Sequence, residues 1–357
     1  MIEKQFSVIF ITLGNNCNFN CKYCLQDNGF THMNKETERP QLSKKLFNFL
    51  DNYKYDHTKI MLWGGEPLLY FDSIKELVLR YGDKFDWGTI TNGSLLTKEI
   101  VDFFEQHKIS FTVSHDGEAT EYTRGIDVLK NKKITDLLKN SKAFTGFSSV
   151  YSSVNNNYRR LFQHHAKLGF EKNNTGVDMI YNTGDTCSHL ELANINEEKY
   201  KQTLTELFWG YEQVEFNNDS TYFKEWRIVK DMISALNLAI QRKSNSTYKY
   251  FHYSCSSCKT MLNINYAGDV FVCHNSTYKL GTVEDSYEEI LKKLREYFKK
   301  WFTPKCKNCS AYDICQGACL LLTEKGQETF CNLRRIQIGM LCDWLITLKD
   351  KISKEEK

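Results

Sequence analysis

Residues 17–24 read Cys-Asn-Phe-Asn-Cys-Lys-Tyr-Cys, a CxxxCxxC triplet of Cys17, Cys21 and Cys24 that directly follows the apolar run Phe6 to Leu13. The run predicts a strand, and the triplet then lies on the loop that leaves it. No fourth cysteine lies nearby in the sequence. Thiolates that close a structural zinc site come in fours, usually as two CxxC pairs. Three on one short loop can instead hold a cubane iron-sulfur cluster and leave one iron without a protein ligand. That open iron is where a small molecule can chelate.

At 357 residues the chain exceeds what one core comfortably holds, so a large domain and a smaller one are expected. Its 47 basic and 44 acidic residues leave a net charge of +3 spread along the chain, which argues against a nucleic-acid groove. The lysine-rich stretches Lys130 to Lys133 and Lys292 to Lys300 read as solvated helix faces. The amino terminus carries no signal peptide, and no apolar run approaches the ~20 residues of a membrane span. A cytoplasmic protein with neither nucleic-acid nor membrane partners is expected. Thirteen cysteines in such a chain argue for metal rather than disulfides, because cytosolic thiols are kept reduced.

The first half alternates β-rich runs with amphipathic segments, the pattern of βα units on a parallel sheet. Strands are predicted at Phe6 to Leu13, Thr58 to Trp63, Trp87 to Thr91, Ile109 to Ser114, Ala143 to Tyr151 and Val177 to Tyr181. Ser43 and Thr97 stand where N-caps would start helices over Lys44 to Asn52 and Lys98 to His107. Each chemical motif follows a strand: the triplet, then Gly64-Gly65-Glu66-Pro67, Thr91-Asn92-Gly93 and Ser114-His115-Asp116-Gly117. In a βα barrel those loops share the carboxyl face, where active sites are built. About six units precede a lapse near residue 185, fewer than the eight of a closed barrel. The expected fold is α/β, a partial (β/α)6 TIM-like barrel over 1–215 with an open side for a large substrate. A helical linker over 216–248, a small cysteine-rich domain over 249–345 and a charged tail over 346–357 would follow. Residues 185–215 show no assignable pattern.

The triplet, the aromatic Tyr23 between its last two cysteines, and Gly64-Gly65-Glu66-Pro67 together resemble radical S-adenosylmethionine (radical SAM) enzymes. The resemblance implies that Cys17, Cys21 and Cys24 ligate a 4Fe–4S cluster whose unique iron is chelated by the methionine end of S-adenosylmethionine. Reductive cleavage would then give methionine and a 5′-deoxyadenosyl radical. Gly64, Gly65 and Glu66, closed by Pro67, would meet the cofactor's amino group, since a backbone approaches a ligand closely where no Cβ intrudes. Asn92 and Ser114 would contact ribose and methionine, although either is as well placed to cap the next helix. Ser114, Asp116, Gly117 and Arg124 fit the family's Ser-x-Asp-Gly and later arginine, with the fork of Arg124 suited to the cofactor's carboxylate. His115, next to Ser114 on an alternating strand, should point away into packing.

From Cys258 the spacing runs nine residues to Gly268, four to Cys273, then Cys306-x2-Cys309-x5-Cys315-x3-Cys319 and Cys331. The pattern resembles the SPASM extension of radical SAM enzymes, which carries two auxiliary 4Fe–4S clusters. With Cys255 it supplies eight ligands, the number two fully ligated cubanes require. The family's arrangement implies Cys255, Cys258, Cys273 and Cys319 on one cluster and Cys306, Cys309, Cys315 and Cys331 on the other. Cys342 competes with Cys331 as the last ligand, and Cys187 is either an incidental thiol or a substrate contact. Taken alone, Cys255-x2-Cys258 and Cys306-x2-Cys309 would be zinc pairs.

Fully ligated clusters suit taking an electron from a substrate radical. The resemblance therefore implies a peptide maturase, an oxidoreductase that crosslinks or oxidises residues of a ribosomally made precursor and is reduced by a flavodoxin or ferredoxin. The first ligand is residue 17, which leaves no room before it for a leader-binding domain and implies a separate leader-binding protein or direct recognition of the peptide. Anaerobic sulfatase maturation, which turns Cys or Ser into formylglycine, is the rival. Those enzymes place an aspartate after the Cys273-equivalent ligand, where this chain has His274. A non-peptide small molecule is a third possible substrate. A non-catalytic electron carrier would need the clusters but not Gly64-Gly65-Glu66-Pro67.

Overall fold

Ser43 and Thr97 cap their helices as expected: Ser43 Oγ accepts from the Leu46 amide at 3.2 Å and Thr97 Oγ1 from the Ile100 amide at 3.3 Å. The computed structural model describes residues 2–25, 40–180, 190–244, 257–301, 306, 308–315, 317, 319, 321–322 and 324–355. Cys187, Cys255 and most of the Lys-Ser-Asn-Ser-Thr stretch at 243–247 lie outside the described residues.

Six parallel strands carry the barrel: β1 (Val8–Thr12), β2 (Thr58–Trp63), β3 (Phe85–Thr91), β4 (Ser110–Ser114), β5 (Phe144–Tyr151) and β6 (Asn174–Met179). Between them run α1 (Lys44–Asn52), α2 (Phe71–Tyr81), α3 (Lys98–Gln106), α4 (Thr120–Arg124), α5 (Lys132–Asn140) and α6 (Tyr158–Lys167). Alternation sets the two faces. Phe111 and Val113 of β4, with Phe147 of β5, are buried in the layer beneath the helices. Thr112 and Ser114 instead pair in register with Gly146 and Ser148 on the lumen face.

β6 begins three residues earlier than the predicted Val177 start. Asn174, Thr175 and Gly176 carry little apolar signal, yet the ladder from β5 captures them through Gly146↔Asn174 and Ser148↔Gly176. The unassigned stretch after residue 185 forms, over its described part, α7 (Leu190–Ala193) and α8 (Glu197–Asn217), followed by α9 (Phe223–Ser244). α8 buries Tyr200, Leu204, Leu207 and Phe208 along one stripe, but it hid from a one-face reading because the exposed aromatics Trp209 and Phe216 lie off that stripe and blur the pattern.

β7 (Met261–Asn265) lies parallel to β1, with Val8↔Met261 through Thr12↔Asn265 in register. β8 (Asp269–Phe271) and β9 (Lys279–Thr282) continue antiparallel, giving the order β6-β5-β4-β3-β2-β1-β7-β8-β9. The second cysteine field thus extends the barrel's own sheet, and Leu262, Ile264, Val270 and Leu280 share one core with Ile9 and Ile11. The C-terminal helix Glu324–Glu355 returns to α8, where Trp344 stacks on Phe208 at 4.8 Å and its indole donates to Glu212 at 2.7 Å. A cavity of about 630 Å³ remains between the β4–β6 side of the sheet, α9 and this helix, lined among others by Ser148, Gly176, Arg227 and Arg334. No described helix is long and apolar enough to cross a membrane.

Because β7–β9 share the barrel's core, they should unfold with it in one transition. Ile264→Ala removes a fully buried side chain from the β1/β7 junction and should cost about 2–5 kcal/mol in a single denaturation transition reported alike by barrel and C-terminal probes. Two separated transitions would contradict the shared core.

Candidate active site

The loop after β1 is held by the loop after β2. Gly65 N–H donates to the Gly14 carbonyl at 3.0 Å, Glu66 N–H to the Asn16 carbonyl at 2.9 Å, and Asn16 N–H to the Tyr70 hydroxyl at 2.8 Å. A Cβ on residue 65 would stand 2.3 Å from the Asn16 carbonyl oxygen, so this approach requires glycine. The buried Glu66 carboxylate accepts from Thr91 Oγ1 at 2.6 Å, from Leu68 N–H at 3.0 Å and from Asn92 N–H at 2.7 Å. Burial raises its pKa against these three donors. Expected to meet a ligand's amino group, Glu66 is seen to fasten the β2 loop to the β3 loop, while Pro67 opens the turn Pro67–Tyr70.

On the other side the anchor is Asp116, which is fully buried. It accepts from the Tyr23 hydroxyl, from Thr123 Oγ1 at 2.7 Å, from Val150 N–H at 2.9 Å, and from Arg124 through Nε at 3.0 Å and Nη2 at 3.2 Å. Burial pushes its pKa up, but Arg124 and the donors win and hold it below the ordinary carboxylate range. The fork of Arg124, which the sequence suggests for a cofactor carboxylate, therefore lies on Asp116, with its guanidinium 5.3 Å from the centre of the Tyr23 ring. The Tyr23–Asp116 tie is not legible from spacing, because the two residues are far apart in sequence.

Cys17, Cys21 and Cys24 gather between these anchors. Burial raises the Cys17 thiol, and Glu66 and Cys24 add to it against donors from Phe19 N–H and Asn92. Burial lifts Cys21 to about 12, with Cys24, Cys17 and Asp116 adding and Arg124 opposing. The thiols also feel one another's charge, a smaller effect than burial, and a bound metal would reverse the rise, since a coordinated thiol is deprotonated outright. The donor set fits an iron-sulfur cluster. Asn92 touches this loop directly, its Nδ2 donating to Asn18 Oδ1 at 2.8 Å and lying 3.9 Å from Cys17 Sγ. Its Oδ1 accepts from Ser94 N–H at 2.9 Å inside the turn, while Thr97 caps the next helix, so Asn92 braces the cysteine loop and is not the helix cap. Ser114 ends β4 on the lumen face.

In the second field, burial raises Cys331, and Cys315, Cys306 and Cys309 raise it further. Arg334 opposes the similar rise at Cys315. Cys273 Sγ accepts from Asn275 N–H at 3.4 Å, Cys258 is fully buried, and Cys319 lies ahead of Leu322, whose amide donates to its carbonyl at 3.2 Å. Among the described residues no three His, Cys, Asp or Glu side chains close on one point as a single metal ion needs.

Two further groups reach the lumen. His274 stacks on Phe10 at 4.2 Å, meets Trp63 edge-on at 4.7 Å, and places Nδ1 3.2 Å from Asn263 Oδ1; burial pulls its pKa down to about 4, so it is neutral at pH 7. Asp178, in register with Val150 on the lumen face of β6, is solvent-exposed and has no hydrogen-bond or ion-pair partner among the described residues; desolvation by the protein around it raises its pKa. Sequence reasoning passed over Asp178. An aspartate inside a strand is unusual enough to have marked it.

A partial parallel barrel whose first loop gathers three cysteines, with a cysteine-rich segment built onto the same sheet, defines a barrel iron-sulfur protein. Residues 11–150 match the Radical SAM superfamily and residues 255–317 match SPASM, an iron-sulfur cluster-binding domain. The chain belongs to the radical SAM superfamily and carries a SPASM domain, families that indicate S-adenosylmethionine and iron-sulfur clusters as cofactors. It is 24% identical to the radical SAM cyclopropyl synthase TigE of Paramaledivibacter caminithermalis over 99% of this chain and 75% of that protein. It is 32% identical to a serine-type anaerobic sulfatase-maturating enzyme of Bacteroides thetaiotaomicron, over 32% of this chain and 30% of that one. The fold is shared with native anSMEcpe with bound AdoMet, at TM-score 0.68 and 18% identity over 97% of this chain and 99% of that one. Streptococcus suis SuiB bound to precursor peptide SuiA aligns at TM-score 0.57 and 17% identity, over 89% and 72%.

Removing Asp116 would leave Arg124 buried and uncompensated. Asp116→Ala should destabilise the protein by about 3–5 kcal/mol in chemical denaturation, and the double variant with Arg124→Ala by clearly less than the sum. Additive losses would show that the two do not act as a pair.

Proposed function

We propose that this chain is a peptide-modifying radical enzyme: it cleaves S-adenosylmethionine on a cluster held by Cys17, Cys21 and Cys24, takes hydrogen from a peptide residue and forms a crosslink or an oxidised residue. The observation that carries this is the meeting of both cysteine fields at one lumen. The triplet loop stands on β1, and β7 pairs with the same strand and leads to Cys273 and His274, the latter stacked on Phe10 of β1. The near full-length likeness to a cyclopropyl synthase supports bond formation between carbons, and among proteins of this fold one is solved with its precursor peptide bound. The open cavity has room for a peptide segment.

Three 4Fe–4S clusters belong to this reading. Cys255, Cys258, Cys273 and Cys319 hold the first auxiliary cluster, and Cys306, Cys309, Cys315 and Cys331 the second. The mutual effect of the last four supports Cys331 over Cys342. When bound, the cofactors supply a 5′-deoxyadenosyl radical that removes one hydrogen atom, and an auxiliary cluster accepts one electron. Joining two C–H positions also releases one proton, and the chain must receive it. The unpartnered carboxylate of Asp178 suits that task. The initiating electron comes from a flavodoxin- or ferredoxin-like reductant. The sulfatase-maturase reading is kept alive by His274, which follows Cys273 and lines the lumen as a neutral imidazole able to accept a proton.

Anaerobically reconstituted protein should hold about twelve irons, and the triple change of Cys17, Cys21 and Cys24 to Ala should remove about four and abolish 5′-deoxyadenosine formation. Zinc with little iron in protein isolated without oxygen would refute the cluster assignment. Cys306→Ala or Cys315→Ala should retain S-adenosylmethionine cleavage while product is lost; a folded variant that turns over normally would exclude an electron-acceptor role.

Proton transfer separates the two readings. Asp178→Asn should lower product formation ~10²-fold or more while His274→Ala keeps substantial activity. The reverse result, with conversion of a Cys-containing sulfatase peptide, would favour the sulfatase-maturase reading.

A further inference from the structure

His115 turns away from the lumen, as alternation requires, into a buried set of polar side chains. Its Nδ1 receives the Gly117 N–H at 3.1 Å and faces His165 Nε2 at 3.0 Å, while its Nε2 faces Asp127 Oδ1 at 3.0 Å. His165 Nδ1 faces Thr175 Oγ1 at 3.1 Å, and the His165 ring stacks on Phe147 at 4.0 Å. A backbone amide can only donate, so His115 Nδ1 carries no hydrogen and Nε2 carries it, donating to Asp127. Two lone pairs would repel at 3.0 Å, so His165 Nε2 must donate to His115, which leaves its Nδ1 to accept from the Thr175 hydroxyl. One amide fixes every tautomer. Hydrogen bonds then run one way from Thr175 on β6, through α6 and the β4 turn, to Asp127.

We propose that His115 and His165 form a neutral, one-way hydrogen-bonded pair that positions the turn carrying Asp116, and through Asp116 the triplet loop at Tyr23. The turn is gripped from both sides of its backbone. His115 N–H donates to the Ser148 carbonyl at 2.9 Å, the Ser149 hydroxyl donates to the His115 carbonyl, and Gly117 N–H is spent on the ring itself. Asp116, between them, accepts from Tyr23, which lies between Cys21 and Cys24. His115 is a positioning residue, since it acts on the thiols only through this chain of contacts.

A hydrogen on His115 Nδ1 would point at the Gly117 N–H, so the turn's contact requires the Nε2–H tautomer. On His165 the Thr175 hydroxyl can reverse, but the charge would be buried beside a second imidazole. Facing groups are Asp127 ahead of α5, Glu118 after β4, His164 and Lys167 on α6, and Lys224 on α9. Among the described charged groups, Asp127 alone hydrogen-bonds the pair, at the end away from His165, while the His164 ring stacks 5.6 Å from His115. Burial puts His165 well below the ordinary histidine value. A depressed histidine means that the unfolded chain binds the proton first, so stability is level above about pH 6.5 and falls below it.

The test uses the full chain reconstituted without oxygen, in which the pH arm and the tautomers do not depend on what the triplet holds. Nitrogen NMR of labelled histidine should show Nε2–H on both rings at pH 7.5, and the unfolding midpoint should drop as pH falls below about 6.5. His115→Asn offers Oδ1 where Nδ1 stood, so it keeps the Gly117 contact and should keep most 5′-deoxyadenosine formation. His115→Phe, at equal iron content, should lose about ten- to a hundredfold. An Nδ1–H tautomer on His115, or a loss in His115→Asn as large as in His115→Phe, would overturn the proposal. If His115→Phe fails to fold, the tautomers and the Asn variant still decide it. No 5′-deoxyadenosine from wild-type protein, with tautomers and acid slope as expected, would strike the cluster reading and leave the pair standing.

Discussion

A buried carboxylate stays ionised only if the protein replaces the water it has lost. Asp116 meets that demand with a two-pronged arginine, two hydroxyls and one backbone amide, drawn from the triplet loop, from α4 and from β5. Each donor answers the demand, and each is thereby fixed in place. The triplet loop has no secondary structure of its own over Cys17 to Cys24, and Lys22 N–H on the Thr123 carbonyl at 2.8 Å is a further clamp from the same side. The order of the loop is borrowed from the carboxylate beneath it.

Glu66 is the counterpart on the opposite flank and works differently. Its charge has three donors and, among the described residues, no cation beside it, and burial keeps its pKa raised. Glu66 raises Cys17, and Asp116 raises Cys21. Two acidic anchors therefore disfavour bare thiolates in this loop. Loading with iron must release protons, and it should grow steeply easier as pH rises.

Much of the barrel was legible because parallel strands and amphipathic helices leave periodic signals, as at Thr58 to Trp63 and Lys44 to Asn52. The motifs were legible because cysteine spacing and paired glycines answer to local chemistry. What stayed hidden depends on long-range partners. β6 starts at Asn174 because β5 reaches it; Arg124 turns to Asp116 because Asp116 is buried; β7 joins β1 because both supply apolar residues to one core. Asp178 carries no motif at all, and only its register shows that it faces the lumen.

The pairing of β7 with β1 sets an order of events during synthesis. β1 is among the first elements made, yet one of its edges is filled only by Met261–Asn265, about 250 residues later. Until then the strand that bears the triplet shows open backbone donors and acceptors, the template on which chains pair wrongly. Once closed, it lies between two strands, where amides exchange with solvent only through the largest openings of the molecule. The cluster loop thus stands on a strand that is completed late and opened last, and a chain cut short before β7 would display an unfinished edge beside its most reactive thiols.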